Sequence, residues 1–239
     1  MAYSFRYDIM HAVTRHPALF TLWYGTRRDY HRLMVTPTTQ LVIEGYPRCA
    51  NSFAVVAFKH AQRQPVKIAH HLHAQSQIIL GVKYKIPVLV LTREPVGAVT
   101  SLVTRHPEIG IGQALKQYLH FYQTALHRSS SLLMADFAEV TTNYADVIQR
   151  LNTKFGTHYN LFKNSPETDA EVFAVLDELN LKDSNGKLNM VARPTKNKTR
   201  LLNARRGEVT SHPLLAKAKS LYRSIPIHGR SNGASIAAK

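Results

Sequence analysis

Residues 41–62, LVIEGYPRCANSFAVVAFKHAQ, constrain the fold more than any other stretch of this chain. Leu41-Val42-Ile43 followed by Gly45 and Pro47 reads as a buried strand that ends in a turn. Phe53 to Gln62 then holds helix formers without Gly or Pro. A helix that begins straight after such a turn presents unpaired N–H groups and a partial positive charge. With Ser52 as the expected cap and Arg48 beside it, the segment outlines an anion site.

A nucleotide-binding P-loop counted from Gly45 would need Gly, Lys and Ser or Thr at positions 50 to 52. The chain has Ala50, Asn51 and Ser52 there, so the frame survives while the lysine is absent. Its nearest cation comes earlier, at Arg48, which argues against ATP with magnesium. Ala50 is costly wherever such a loop requires a positive φ.

Pro47, Arg48, Cys49, Ala50, Asn51, Ser52 and Phe53 stand in order where the sulfotransferase family has its Pro-Lys/Arg-Ser-Gly-Thr-Thr-Trp type loop. The segment resembles that first signature, which binds the 5′-phosphosulfate of PAPS (3′-phosphoadenosine-5′-phosphosulfate). Pro47 and Arg48 match, Ser52 keeps a hydroxyl and Phe53 an aromatic ring, while Cys49, Ala50 and Asn51 depart.

Further along, Val88 to Thr92 is an unbroken apolar run suited to a central parallel strand. It delivers Arg93 to the same sheet edge as Arg48. TREPVGAVTSL resembles the second family signature, with Arg93 and Ser101 at the separation used to hold a 3′-phosphate and Pro95 in place. Glu94 replaces the usual Asn or Asp, and Gly97 stands where an acid is common. Between the signatures lies a strand expected over Val66 to His71, ending in His70-His71-Leu72-His73. His71 and His73 would share one face of it. The resemblance makes His71 the general base, with Ala69 where the family often has Lys, and Arg48 a catalytic cation. It also implies a late basic loop near the 3′-phosphate, with Arg193, Lys196 and Lys198 as candidates. These motifs cover roughly residues 40 to 160.

The rest of the chain reads as a single domain over 1–239, with a basic lead-in over 1–40 and a loose tail over 228–239. Helical pieces are expected at 5–14 and 26–34, and helices near 75–84, 96–104, 111–127, 144–155, 169–181 and 213–224. In the helix at 169–181, Val172, Phe173, Leu176 and Leu179 should face inward. The expected architecture is α/β, a mostly parallel sheet flanked by helices on both faces.

Lys and Arg number 31 against 15 Asp and Glu, a formal charge of +16. That field favours anionic partners without selecting one: a nucleotide cosubstrate, an acidic glycan and an anionic membrane surface all qualify. Zinc-finger spacing, an RNA-recognition signature and a basic helix with heptads are all missing, so nucleic acid is not expected. The one cysteine and the histidine spacing give no metal pattern, and no metal is expected. Without an 18-residue apolar run or a signal pattern, the expected location is cytoplasmic. The implied reaction is transfer of a sulfuryl group from PAPS to a hydroxyl or amine of a small molecule or glycan, leaving PAP (adenosine 3′,5′-bisphosphate). The alternatives are a P-loop kinase-like nucleotide enzyme and a non-catalytic basic binding protein for nucleic acid or acidic glycan.

Overall fold

A computed structural model describes residues 2–183 and 196–229. Four strands form one sheet: β1 (Leu41–Gly45), β2 (Ile68–His70), β3 (Val88–Thr92) and β4 (Leu133–Asp136), in the order β2-β1-β3-β4. Every pairing is parallel, with Ile43 opposite His70 and Leu89, and Leu91 opposite Ala135. β1 and β3 are buried along their whole length, as strands covered on both faces should be, and β1 carries one charged residue, Glu44, into that interior.

The order reverses at β1. The chain leaves β1 through α4 (Asn51–Ala61) for β2 on one side, then returns through α5 (Gln75–Lys83) to β3 on the other. Right-handed crossovers in opposite directions place α4 and α5 on opposite faces. α4 packs with α8 (Phe137–Thr142) and α10 (Pro166–Asp183). α5 packs with α7 (Ile111–Leu126) and with the N-terminal pair α1 (Ala2–Arg15) and α2 (Pro17–Gly25). The crevice outside the carboxyl ends of β1 and β3 is the switch point where open α/β sheets bind ligands.

Gly45 closes β1 because little else fits. A Cβ there would lie 2.6 Å from the Leu91 carbonyl oxygen and 3.0 Å from Asn51 Oδ1. β4 leads into α8, where Asp136 accepts from the Ala138 amide at 3.0 Å and Glu139 returns to the Asp136 amide at 2.6 Å. This reciprocal cap starts a helix that hydrophobic periodicity does not announce. α9 (Tyr144–Phe155) ends at Gly156, whose φ of 64° closes the helix as expected.

Several expected elements shift. Helical structure extends further than the expected 5–14 and 26–34: His16 breaks it in an extended conformation, and Pro17 at once opens α2, since proline at a first helical position loses no hydrogen bond. A one-turn helix α3 (Arg28–His31) follows. Leu179 is 46% exposed, whereas Val172 and Leu176 are buried. The basic stretch expected as a loop is helical from Lys196, the start of α11 (Lys196–Thr210). α11 packs against α6 (Pro95–Arg105), and α12 (Leu214–Arg223) against α7. Arg193 lies outside the described residues, as do the side chains of Lys196 and Lys198 and all of the tail from residue 230.

Candidate functional site

The loop after β1 is built on strained backbone. Arg48 and Ala50 have φ of 71° and 65°, with Cys49 between them outside that region. Alternating left-handed and ordinary residues turn successive N–H groups into the concavity that binds anions. Each left-handed L-residue costs roughly 1–2 kcal/mol, and such strain persists only where the surroundings enforce it. Here they do. Arg93, arriving at the end of β3, donates from Nη1 to the Arg48 carbonyl at 3.0 Å. Asn51 Nδ2 donates to the Tyr46 carbonyl at 3.0 Å. Cys49 is fully buried 3.3 Å from the Tyr122 hydroxyl, which itself donates to the Leu91 carbonyl at 2.8 Å. Burial pushes the Cys49 thiol up to about 12, so it is no nucleophile.

Ala50, not Ser52, is the N-cap of α4, and it makes no side-chain cap bond. Ser52 sits one residue inside the helix from Asn51, and its Oγ lies 3.0 Å from His71 Nε2. Phe53 is buried and packs against Phe162 and Phe173, with ring centroids 6.1 and 5.8 Å away. The loop and Phe53 line a cavity of about 1100 Å³ that also receives Arg93, Ser101 and His71.

Arg48 Nε donates to Ser101 Oγ at 3.0 Å, so the serine expected beside Arg93 is bonded to the other arginine. The Arg93 guanidinium stacks on Phe137 at 4.0 Å. Glu94 is the N-cap of α6 and accepts from the Gly97 amide at 3.0 Å, a role its carboxylate fills as well as Asn or Asp would. A side chain at position 97 would begin 3.2 Å from Arg93 Nε, so glycine keeps that guanidinium in place. Desolvation, then the Arg105 and Arg93 charges, lower Arg48 to about 10, which leaves it cationic at neutral pH.

The histidine segment differs from its expected form. β2 stops at His70, and His71 and His73 have φ of 61° and 48°, so strand alternation does not set their directions. His73 Nδ1 carries a proton and donates it to the Gly45 carbonyl at 2.8 Å. His70 and His71 meet through their Nδ1 atoms at 2.6 Å. Desolvation, then neighbouring His70, His73 and Lys59, lower His71 to about 3, and burial brings His70 to about 4. Ala69 is 1% exposed inside the sheet, where an ammonium would be costly.

Sequence reasoning missed two cavity arginines, Arg105 at the end of α6 and Arg206 on α11. Neither sits in a motif; only the packing of α11 on α6 brings them to the cavity. No carboxylate of the described residues lines it. Among the described residues no group of His, Cys, Asp and Glu converges as a metal site, and no helix is long and apolar enough to cross a membrane.

Below the loop, Glu44 is fully buried. Its Oε1 accepts from the Leu72 amide at 2.9 Å and from Gln77 at 3.4 Å, while Oε2 lacks a hydrogen-bond partner. Burial raises its carboxyl to about 8.

Comparison with known proteins gives no family model that matches and no curated protein that matches significantly. Solved structures do match, among them mouse sulfotransferase SULT7A1 complexed with PAP, at 8% identity and a TM-score of 0.43, over 83% of this chain and 95% of that one.

Two substitutions test this geometry. Ala50→Gly should raise stability by about 0.5–1 kcal/mol, because glycine enters the left-handed region without the Cβ clash; denaturant unfolding that shows a loss would contradict the strained loop. The second concerns Glu44, whose folded pKa of about 8 exceeds its ordinary value of 4.5, so its contribution is lost as pH rises between those limits. The histidines work the other way, with folded values below 6.5, and weaken the protein as pH falls below that point. Between pH 6.5 and 8 only the Glu44 slope remains of these, at up to about 1.4 kcal/mol per pH unit. Stability of the parent should therefore fall over that window in urea titrations, and that of Glu44→Gln should stay level.

Proposed function

We propose that this chain is a sulfotransferase-like group-transfer enzyme using PAPS. The observation that carries the reading is one cavity lined by four arginines, Arg48, Arg93, Arg105 and Arg206, at the carboxyl ends of β1 and β3, without a carboxylate from the described residues. Such a cavity suits a ligand with several anionic groups. A kinase reading lacks support at position 51, where a buried Asn bonded to the Tyr46 carbonyl occupies the place of the Walker lysine.

In this reading Arg48 and the amides of residues 49–53 hold the 5′-phosphosulfate, and Arg93 with Ser101 holds the 3′-phosphate. The acceptor oxygen attacks sulfur, and the sulfur–oxygen bond to the 5′-phosphate breaks. The bonding pair stays on PAP, where Arg48 offsets the growing charge, an electrostatic contribution typical of group transfer. His71 takes the acceptor proton on Nε2. With the His71 Nδ1–H donating to His70, Nε2 carries no proton and accepts from the Ser52 hydroxyl, whose place the acceptor hydroxyl would take. Asp136 is a poor substitute, since it caps α8 and accepts from the Tyr222 hydroxyl at 2.5 Å. The acceptor is a small molecule or glycan, and the activity is that of one domain.

PAP at about 100 times its Kd should stabilise the fold by roughly 2.7 kcal/mol, a Tm rise of about 5–10 °C for a chain of this size. Magnesium-ATP should give much less; the reverse order would replace this reading with the kinase. Arg93→Ala should weaken PAP by about 1.5–3 kcal/mol more than adenosine 5′-phosphate, which loses only the loop support, and so erase the preference between them.

His71→Ala should lower kcat by about 10²–10⁴ with PAP affinity unchanged, while His73→Ala stays near the parent because its ring serves the Gly45 carbonyl. The lowered His71 pKa moves the acid limb of kcat/KM well below the ordinary histidine value of 6.5. An inflection at that value, or full activity in His71→Ala, assigns the proton to another group.

A further inference from the structure

α2 has an unusual composition for a surface helix. Its sequence, PALFTLWYG, contains no charged residue, and both of its faces are apolar. Phe20 and Tyr24 are buried against the core. Leu19, Leu22 and Trp23 lie on the other side at the i, i+3, i+4 spacing of a single helix face, and they are 49%, 69% and 36% exposed. Burying that face in the core is impossible while Phe20 and Tyr24 occupy it.

The surroundings identify what the face fits. Arg15 precedes the helix, and Arg27, Arg28 and Arg32 follow it, all exposed, with Asp29 the one acid among them. The Arg27 guanidinium lies 3.9 Å above the Trp23 ring, so a cation borders the apolar face directly. Tyr30, 44% exposed, packs perpendicular to Tyr24 at the end of the helix. An apolar face bordered by Arg27 and Trp23, on a helix flanked in sequence by exposed arginines at both ends, matches the layered chemistry of an anionic bilayer surface: acyl chains, an interfacial belt and phosphate headgroups. A protein partner would not require flanking cations of one sign, and two copies face to face would bring their Arg27 guanidinium groups together.

We infer that α2 and the arginines flanking it form a docking site for an anionic membrane surface, on which the protein lies without spanning it. The contact is peripheral, with Leu19, Leu22 and Trp23 entering the headgroup–acyl boundary. Tyr24, on the opposite face of the same helix, lines the arginine cavity. Docking thus holds the cavity within about one helix diameter, ~10 Å, of the lipid.

Trp23 is the only tryptophan in the chain, so its fluorescence reports this face alone. The full chain is titrated with phosphatidylcholine vesicles that either contain or lack phosphatidylserine, and binding is followed by Trp23 emission and by co-sedimentation. The expected result is a blue shift and sedimentation with the anionic vesicles only, reversed by high salt. Leu19→Ser with Leu22→Ser should reduce partitioning by at least about tenfold, and Arg28→Ala or Arg32→Ala by about fivefold each, with unchanged melting curves for these exposed positions. Absence of binding to anionic vesicles overturns the proposal. So does binding that the double Leu variant retains, which would mean adsorption through the overall charge. A dimer that the double Leu variant dissociates, without vesicle binding by the parent, would assign the face to a second copy.

Discussion

The hydrogen bond on which the site depends joins its two halves: the Arg93 guanidinium, placed by β3, holds the carbonyl of Arg48, placed by β1. The loop after β1 contains no glycine between Tyr46 and Phe53, yet two of its residues are left-handed. Left to itself, a chain with Arg and Ala at those positions would relax towards ordinary backbone. It stays because every side of the loop is bonded to something rigid: Arg93 from one strand end, Asn51 from the first turn of α4, and Tyr122 from α7 behind Cys49. The arginine that completes the cavity is therefore also a structural member of the loop, stacked on Phe137 and fixed through its own carbonyl by the Tyr118 hydroxyl at 2.7 Å.

Beneath this loop lies a polar layer in an otherwise apolar sheet. Glu44 supports the turn that carries the histidines by accepting from the Leu72 amide. Gln77 reaches from α5 to the Val35 amide and the Leu33 carbonyl, tying the segment before β1 to the same layer. His73 closes the layer on the Gly45 carbonyl. Buried polar groups that satisfy one another specify a unique arrangement of the chain, at the expense of desolvation. The geometry of His71 at the cavity is thus set by the buried Glu44 that holds the next amide, not by the end of a strand.

The sheet was legible from sequence because its information is local. Val88 to Thr92 is too apolar and too branched to be anything but a covered strand, and a parallel strand must deliver its next residue, Arg93, to the ligand edge. The loop was legible for the same reason, through Gly45, Pro47 and the apolar helix beyond. What escaped was set by tertiary contact or by capping. Ser52 looks like a helix cap, but the left-handed Ala50 takes that place and frees the hydroxyl for His71. Alternation along His70 to His73 fails because two residues turn left-handed to meet the polar layer. α11 has no clear apolar stripe, with polar Asn203 and Arg206 on a wall of the cavity, so periodicity gives it no signal. Arg105 and Arg206 are distant in sequence and become neighbours of one cavity only through helix packing.

Cys49 has a consequence for how the loop can be observed. It is the only thiol in the chain, it lies in the centre of the strained turn, and none of its surface reaches solvent. A modifying reagent can reach it only when the backbone between Pro47 and Asn51 swings away from Tyr122. The rate of thiol labelling therefore measures how often that turn opens, and separates local opening from global unfolding when the two are compared across denaturant. An ordinary buried cysteine reports only on the core that surrounds it. This one acts as a clock on the segment that the whole arrangement of arginines holds shut.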